Sequence, residues 1–519
     1  MAGAGSYPLP PTGAFLPGRD ADRILPCARR APRVSCLAVE THDDARVSAP
    51  LRIPAPPCSR RAWRAWWQGE SGYREVLHLA WPLFLSYGSS TILQFTDRMF
   101  LTWFSPEGMA ATAPAGMLAF TVQSLFIGLV GYAATFVAQY TGAGRPRQAV
   151  AAVWQALYLA AVAALLLLPL VFVGGAVFRL ADHPPAMQGM ERDYFSIFLL
   201  GSFPFIASAA VSAYFIGRGK TQVLLWVNLG GALVNIVLDY LLIFGAWGFP
   251  QMGVAGAALA SVLAQCVALA AGFVIFLRDT RCVAGAWRPD LIITRRLLRF
   301  GTPSGVQFML DIMGWTFFLM LIGRLGTAEL GASNLAFQVN SFAFFPVLGI
   351  ALAASTLVGQ HLGRNRADLA DRAVWSSIHL GLLFTLVMGV LFVTIPHLLI
   401  APFGARANPA EFAPVREMTI VILRFVAAYC LFDVGNLVLS AALKGAGDTL
   451  FVMLLSTSCS VVLMLAPVLL FCLRPGGLGI YGAWFFLTFM VCTLSATFLL
   501  RYLRGHWRAM RVIEREVIP

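Results

Sequence analysis

Twelve long apolar runs, separated by short polar stretches, fill most of the chain after residue 75. Each run is long enough to cross the roughly 30 Å hydrocarbon core of a bilayer as a helix, which satisfies its own backbone hydrogen bonds in lipid. The pattern therefore predicts an all-α polytopic membrane protein with twelve transmembrane helices. The predicted spans are 76–104, 111–138, 150–178, 193–217, 221–245, 254–277, 297–323, 328–357, 373–398, 417–442, 449–472 and 479–503.

The composition excludes a soluble protein. Hydrophobic residues make up 58% of the 519 residues and charged residues only 12%, whereas soluble domains are about 45–50% apolar and about 25% charged. The net charge of +13 would suggest nucleic acid only if the cations shared one surface, but they lie in the tails and in the loops between apolar runs. We therefore expect the lipid bilayer, and no nucleic acid, as a partner.

Most of these cations follow even-numbered spans, and fewer follow odd-numbered spans. Because positively charged loops tend to stay in the cytoplasm, we predict a multi-pass protein of the cytoplasmic (inner) membrane with both termini cytoplasmic. The cations after even-numbered spans include Arg145, Arg147, Arg218, Lys220, Arg281, Arg366 and Lys444.

Residues 1–65 form a separate segment that is rich in proline and arginine. They contain no apolar run of the length found in signal peptides. Such a segment cannot bury a core, and we predict that it is disordered. At its end, arginines alternate with Trp63, Trp66 and Trp67, a spacing that favours a short helix lying in the inner membrane interface.

An internal repeat divides the membrane region. Pro82 in the first span matches Pro303 in the seventh, and five residues that follow the second span recur after the eighth in the same register. The repeat predicts two pseudo-symmetric six-helix lobes around a cleft that opens alternately to each side of the membrane. The five pairs are Gln139 and Gln360, Gly142 and Gly363, Arg145 and Arg366, Val153 and Val374, and Trp154 and Trp375.

The repeat also sets the expected domain boundaries. They are a disordered tail 1–65, an amino-terminal lobe 66–278, a cytoplasmic loop 279–296, a carboxy-terminal lobe 297–503 and a cytoplasmic tail 504–519.

Four carboxylates fall inside the predicted spans and away from their first residues: Asp97, Asp239, Asp311 and Asp433. Ionisable groups within a membrane are costly, so we regard these as candidate functional residues. Asn235 lies four residues before Asp239, and Tyr429 lies four before Asp433, which places each pair on one helix face. The competing interpretation is structural, since these acids could cap polar groups or pair with arginines such as Arg98 or Arg424.

Other motifs are less informative. Gly219, Lys220 and Thr221 look like the end of a phosphate-binding loop, but Tyr214 stands where that motif requires glycine. The histidines and cysteines show no metal-ligand spacing, and no catalytic constellation stands out. We therefore expect no enzyme activity, no cofactor, and no metal other than a candidate sodium ion.

The sequence resembles the multidrug and toxic compound extrusion (MATE) family over residues 75–503. The resemblance is carried by several motifs together: Ala80-Trp81-Pro82, Phe95-Thr96-Asp97, the Val-x-Gln-x-x-Gly blocks that end at Gly142 and Gly363, Asn235-Ile236-Val237-Leu238-Asp239, Gly253-Val254-Ala255-Gly256-Ala257-Ala258, and Leu443-Lys444-Gly445-Ala446-Gly447-Asp448-Thr449. The chain departs from the family pattern at Asp311, where many relatives have glutamate, and at Ser261, which is often threonine.

The resemblance implies a V-shaped, two-lobed exporter that is driven by inward flow of H⁺ or Na⁺. It also implies one cation-coupling site in each lobe, without indicating which lobe drives transport. The implied amino-lobe residues are Asp97, Asn235, Asp239 and Ser261, and the implied carboxy-lobe residues are Asp311, Tyr429 and Asp433. We expect Gln338, Asn340 and Asn436 to line the cleft.

From these features we expect a monomeric antiporter that exports small organic, cationic or amphipathic compounds. Three alternatives stay open: a flippase for lipid-linked or polysaccharide precursors from the same superfamily, a polytopic membrane enzyme, and a transporter-derived sensor. A flippase would favour a strongly cationic cleft, whereas acidic residues dominate the interior predicted here.

Overall fold

The structure is a computed structural model that describes residues 64, 66–180, 184–283, 285–404, 409–474 and 476–514. The predicted disordered tail therefore lies outside the described residues except for Arg64. Regular secondary structure in the described ranges is helical, and no strand occurs in them.

Eleven helices are long and apolar enough to cross a membrane, and one bent pair of helices supplies a twelfth span. This confirms the predicted all-α fold class. In chain order, spans 1 to 12 are Tyr73–Phe104, Glu107–Gly142, Pro146–Leu167, the pair Met187–Leu200 and Ser202–Gly217 with a 44° bend, Thr221–Phe244, Gly253–Asp279, Leu291–Gly323, Thr327–Gly363, Ala367–Thr394, Phe412–Ala446, Thr449–Cys472 and Gly479–Leu503.

Two short helices follow spans 3 and 9. The predicted run 150–178 is in fact two helices, because span 3 ends at Leu167 and a second helix runs Leu170–Leu180. Pro169 lies in the break, where its missing N–H and its ring interrupt helical hydrogen bonding. The corresponding helix after span 9 is Pro396–Gly404.

The apolar core is divided into clusters that follow the two repeats, except that the first turns of spans 1 and 7 each pack in the cluster of the other repeat. A cluster built mainly from spans 2 to 4 also contains Ile293 and Leu297 of span 7. A cluster built from spans 8 to 12 also contains Val76 and Leu79 of span 1. The first turns of spans 1 and 7 thus pack against the opposite half of the chain. The lobe boundaries 66–278 and 297–503 stay a prediction, and we call these segments the amino half and the carboxy half.

The two halves meet closely at one end of the bundle, which carries the turns 143–145, 218–220 and 364–366. We call it the arginine-rich end. A Cβ atom added to Gly142 of span 2 would overlap the carbonyl oxygen of Gln360 in span 8, and one added to Gly363 would overlap that of Gln139. Such backbone-to-backbone packing needs residues without side chains. The repeat-related glycines therefore allow spans 2 and 8 to touch.

Candidate ion sites

The amino-half site is a cluster of three polar residues from spans 1 and 5. Asp239 and Asn235 are fully buried, and Asp97 of span 1 is half-buried beside them. Asn235 and Asp239 share a helix face because they are four residues apart. Tertiary packing of span 1 against span 5 then brings Asp97 to the same point.

The Asn235 amide joins the two carboxylates. Its orientation is assigned from the surrounding donors and acceptors. In that orientation Nδ2 donates to Oδ2 of Asp239 at 2.9 Å and to Oδ1 of Asp97 at 3.1 Å, while Oδ1 accepts from the backbone N–H of Ser261 at 3.2 Å. Ser261 thus contributes its backbone N–H to this site, and a threonine at the same position would provide the same donor.

One carboxylate oxygen in this cluster has no donor. Oδ1 of Asp239 is buried and lacks a hydrogen-bond partner among the described residues. The side chains of Asp97 and Asp239 also interact directly with each other. Two adjacent carboxylates cannot both stay charged without a compensating cation, so this arrangement fits a proton shared between them or a bound cation.

Tyr194 of span 4 belongs to this environment, although the sequence analysis did not select it. Its hydroxyl interacts electrostatically with Asp97 and Asp239, and its ring stacks on Phe198 with the centroids 4.8 Å apart. Gly116 makes room for it, because a Cβ there would lie 3.3 Å from the tyrosine ring. A polar aromatic residue within a span was the only sequence signal for this role.

The carboxy half contains a cluster around Asp433. Asn436 Nδ2 donates to Oδ1 of Asp433 at 3.0 Å, and the buried Tyr429 interacts with both Asp433 and Asn340. The Cys430 thiol donates to Oδ1 of Asn340 at 3.3 Å. The structure therefore brings Tyr429, Asp433, Asn340 and Asn436 together.

Asp311 lies apart from that cluster, and no hydrogen bond or ion pair joins the two in the described ranges. The ring of Phe308 contacts Phe120 of the amino half in a T-shaped pair with the centroids 6.2 Å apart. Asp311 is one turn further along the same face of span 7 and its side chain is exposed. We infer that it faces the space between the halves.

Lys444 has a different position from the one predicted. The sequence places it in the loop after span 10, but the helix continues through Lys444 to Ala446. From there its ammonium group interacts electrostatically with Asp311, without forming a salt bridge. The carboxy half therefore carries a fixed cation near one of its two carboxylates.

One form of the structural alternative pairs these acids with arginines. In the described part of the chain, the salt bridges involve other carboxylates, and none includes Asp97, Asp239, Asp311 or Asp433. Of the expected cleft-lining residues, Gln338 is exposed, Asn436 is half-buried and Asn340 is buried. Within the same ranges there is no cluster of three His, Cys, Asp or Glu side chains with metal-binding geometry.

Comparison with known proteins identifies the family. The sequence profile of the MatE family matches residues 82–241 and 303–469. The two matches begin at Pro82 and Pro303, in the register of the repeat. The chain belongs to the MatE family. MatE proteins of this kind are transporters, which excludes the alternative of a membrane enzyme.

Relatives and solved structures agree with this assignment. The chain is 27% identical over 448 residues to a probable multidrug resistance protein NorM of Thermotoga maritima, covering 85% of this chain and 95% of that protein. It is 26% identical to a NorM protein of Rhizobium meliloti, covering 85% and 94%. The fold resembles a structure described as the outward-facing conformation of a multidrug resistance MATE family transporter, with a TM-score of 0.76 at 18% identity, covering 86% and 98%.

Proposed function

We propose that this MatE protein exports organic cationic or amphipathic compounds in exchange for protons that bind between Asp97 and Asp239. The observation that carries the proposal is the buried, unpartnered Oδ1 of Asp239 next to a second carboxylate. Similarity to NorM multidrug resistance proteins supports the substrate class. The distribution of arginines supports a cytoplasmic membrane location with both termini inside.

The direct interaction between the Asp97 and Asp239 side chains, together with the assigned orientation of Asn235, favours a proton over Na⁺ at this position. Sodium is a hard cation that is bound by oxygen atoms. In the orientation assigned with the two carboxylates as acceptors, Asn235 directs its nitrogen toward them and its oxygen accepts from the backbone of Ser261. Asn436 likewise presents a nitrogen to Asp433. An amide donor stabilises a charged or half-protonated carboxylate pair but cannot act as a metal ligand through its N–H groups.

Exchange follows because the proton and the cationic substrate compete for the same negatively charged carboxylates. With the site deprotonated, the interior carries negative charge that attracts a cationic substrate. Protonation removes this attraction and lowers the cost of burying the carboxylates when the halves rearrange. Transport is then coupled if the protonated and the substrate-bound forms favour opposite access states.

The flippase hypothesis is favoured by one observation, the cation at Lys444 near Asp311. An anionic, phosphate-bearing cargo would be attracted to Lys444. Since four carboxylates lie within the spans without a salt bridge among the described residues, we rank the flippase second. Lys444→Gln would be expected to abolish transport of such a cargo.

The test is uptake of a fluorescent organic cation into proteoliposomes under an imposed proton or sodium gradient. We expect transport that depends on the proton gradient and is lost in Asp97→Asn and Asp239→Asn. Asp193→Asn is the matched control, because Asp193 is an exposed carboxylate near the start of span 4. Transport driven by sodium alone would overturn the choice of ion, and wild-type rates in both variants would overturn the site.

A further inference from the structure

The chain continues past span 12 as a strap along the arginine-rich end. Span 12 ends at Leu503, and Gly505, with a positive φ of 74°, turns the backbone. One turn of 3-10 helix, His506–Ala509, follows, and the described chain ends at Glu514. We call residues 505–514 the strap. It buries three apolar side chains: Trp507, Val512 and Ile513.

The first anchor of the strap lies in the carboxy half. The Trp507 ring stacks on Tyr502 with the centroids 5.0 Å apart, and its Nε1 donates to the backbone oxygen of Tyr502 at 3.1 Å. The Tyr502 hydroxyl in turn donates to Asp371 of span 9 at 2.6 Å. Trp507 is almost completely buried in the cluster of spans 8 to 12. The beginning of the strap is therefore fixed to the carboxy half.

The second anchor lies in the amino half. Val512 is fully buried in the cluster of that half, and its backbone N–H donates to Oε1 of Gln139 at 3.0 Å. The Tyr140 hydroxyl donates to Oε2 of Glu514 at 2.9 Å. Arg296, at the start of span 7, donates to the backbone oxygen of Val512 at 3.1 Å and pairs with Oε1 of Glu514 at 3.2 Å. Fewer than ten residues thus connect both halves.

The repeat provides an internal comparison for Gln139. Gln139 Nε2 donates across the halves to the backbone oxygen of Gly445 at 2.9 Å. Its counterpart Gln360 makes the mirror contact, donating to the backbone oxygen of Gly217 at 2.8 Å. Only Gln139 also accepts a hydrogen bond from the strap. Of these two equivalent contacts between the halves, the strap therefore reinforces the one made by Gln139.

We propose that the strap is a latch that holds the arginine-rich end closed and sets the balance between the two access states. Opening that end must separate Gln139 from Gly445. The same movement would break the Val512 and Glu514 contacts and expose Val512, unless the strap leaves the amino half. The strap consequently favours the closed form seen here. The proposal rests on the proposed function, since it assumes that the halves move during transport.

The test measures the closed fraction directly. Spin labels on cysteines at 147 and 368, which are exposed repeat-related positions on opposite halves, report the separation of the halves in a background without native cysteines. Removing residues 511–519 should raise the population with the longer distance by roughly five- to tenfold, at the lower end of the usual range of such coupling. Removing residues 515–519 alone is the matched control and should leave the distribution unchanged.

Milder variants guard against misfolding of the truncated chain. Glu514→Gln and Tyr140→Phe should shift the distribution in the same direction by a smaller factor, and neither changes backbone length. An unchanged distribution in the truncation and in both variants would overturn the latch. The distance measurement needs neither substrate nor ion gradient. A shifted distribution without gradient-driven transport would therefore refute the proposed function alone, while coupled transport with an unchanged distribution would refute the latch alone.

Discussion

Replacing Gly142 by alanine tests the contact between spans 2 and 8. A Cβ at this position would overlap the carbonyl oxygen of Gln360 and lie 2.7 Å from its carbonyl carbon. Ordinary contacts begin at 3.4 Å, so relieving the contact with the carbonyl carbon alone takes 3.4 − 2.7 = 0.7 Å, and the nearer carbonyl oxygen requires a larger separation of the two backbones. Forcing one extra methyl group into a packed interface costs about 1–3 kcal/mol. We therefore expect Gly142→Ala to be destabilising by about that amount.

Gly131→Ala is the matched control, since a Cβ on Gly131 meets nothing within 4 Å. This variant should be neutral or more stable by up to about 1 kcal/mol, because alanine has the higher helix propensity. Thermal unfolding of the detergent-solubilised protein compares the two directly. The label distance between positions 147 and 368 should increase in Gly142→Ala only. Equal unfolding temperatures for both variants would refute close backbone contact at this end.

Three further changes test individual side chains. Asn235→Ala should lower proton-driven transport at least about tenfold, since it removes two hydrogen bonds to carboxylates, each worth about 1.5–3 kcal/mol. Proteoliposome uptake measures this, and near-wild-type rates would argue against the hydrogen bonds from Asn235 to Asp97 and Asp239. Lys444→Gln should tighten binding of an organic cation, because it removes a positive charge near Asp311, and a fluorescence titration with an unchanged affinity would contradict this. Ser71→Ala removes a hydrogen bond of 2.6 Å to Nε2 of His361. Thermal unfolding should show a loss of stability of about 1–2 kcal/mol. Ser89→Ala is its control, because Ser89 makes only a local hydrogen bond within its helix.

The spans and the repeat could be predicted from sequence because both are local or periodic signals. Apolar run length indicates a span by itself, and a constant separation of 221 residues links matching positions. Trp66 and Trp287 follow the same register but were not matched. In the structure, Trp66 lies beside His379, with ring centroids 5.5 Å apart, and the backbone of Trp287 accepts from the hydroxyl of Tyr158. His379 and Tyr158 are also 221 residues apart, so this signal was available.

Contacts between distant segments could not be predicted in this way. The shared helix face of Asn235 and Asp239 follows from their spacing, but the position of Asp97 depends on how span 1 packs against span 5. The contact between Gln139 and Val512 joins residues 373 positions apart. No periodicity encodes it, because the strap is too short to form a helical pattern. The position of Val512 depends on three-dimensional packing, which brings Gln139 of span 2, Arg296 of span 7 and Gly447, just after span 10, next to it.

The two halves differ in the charge that surrounds their carboxylates, although the repeat relates their helices. In the amino half, Asp97 and Asp239 lie together and share one amide, and Arg98 acts on Asp97 electrostatically without a salt bridge to either acid among the described residues. In the carboxy half, Asp311 is separated from Asp433 and has Lys444 nearby. Protonation therefore changes the electrostatic energy more in the amino half, where two like charges would otherwise repel at short range. We expect Asp239→Asn to abolish proton-driven transport, and Asp311→Asn to retain it while altering substrate affinity. The opposite pattern would assign coupling to the carboxy half.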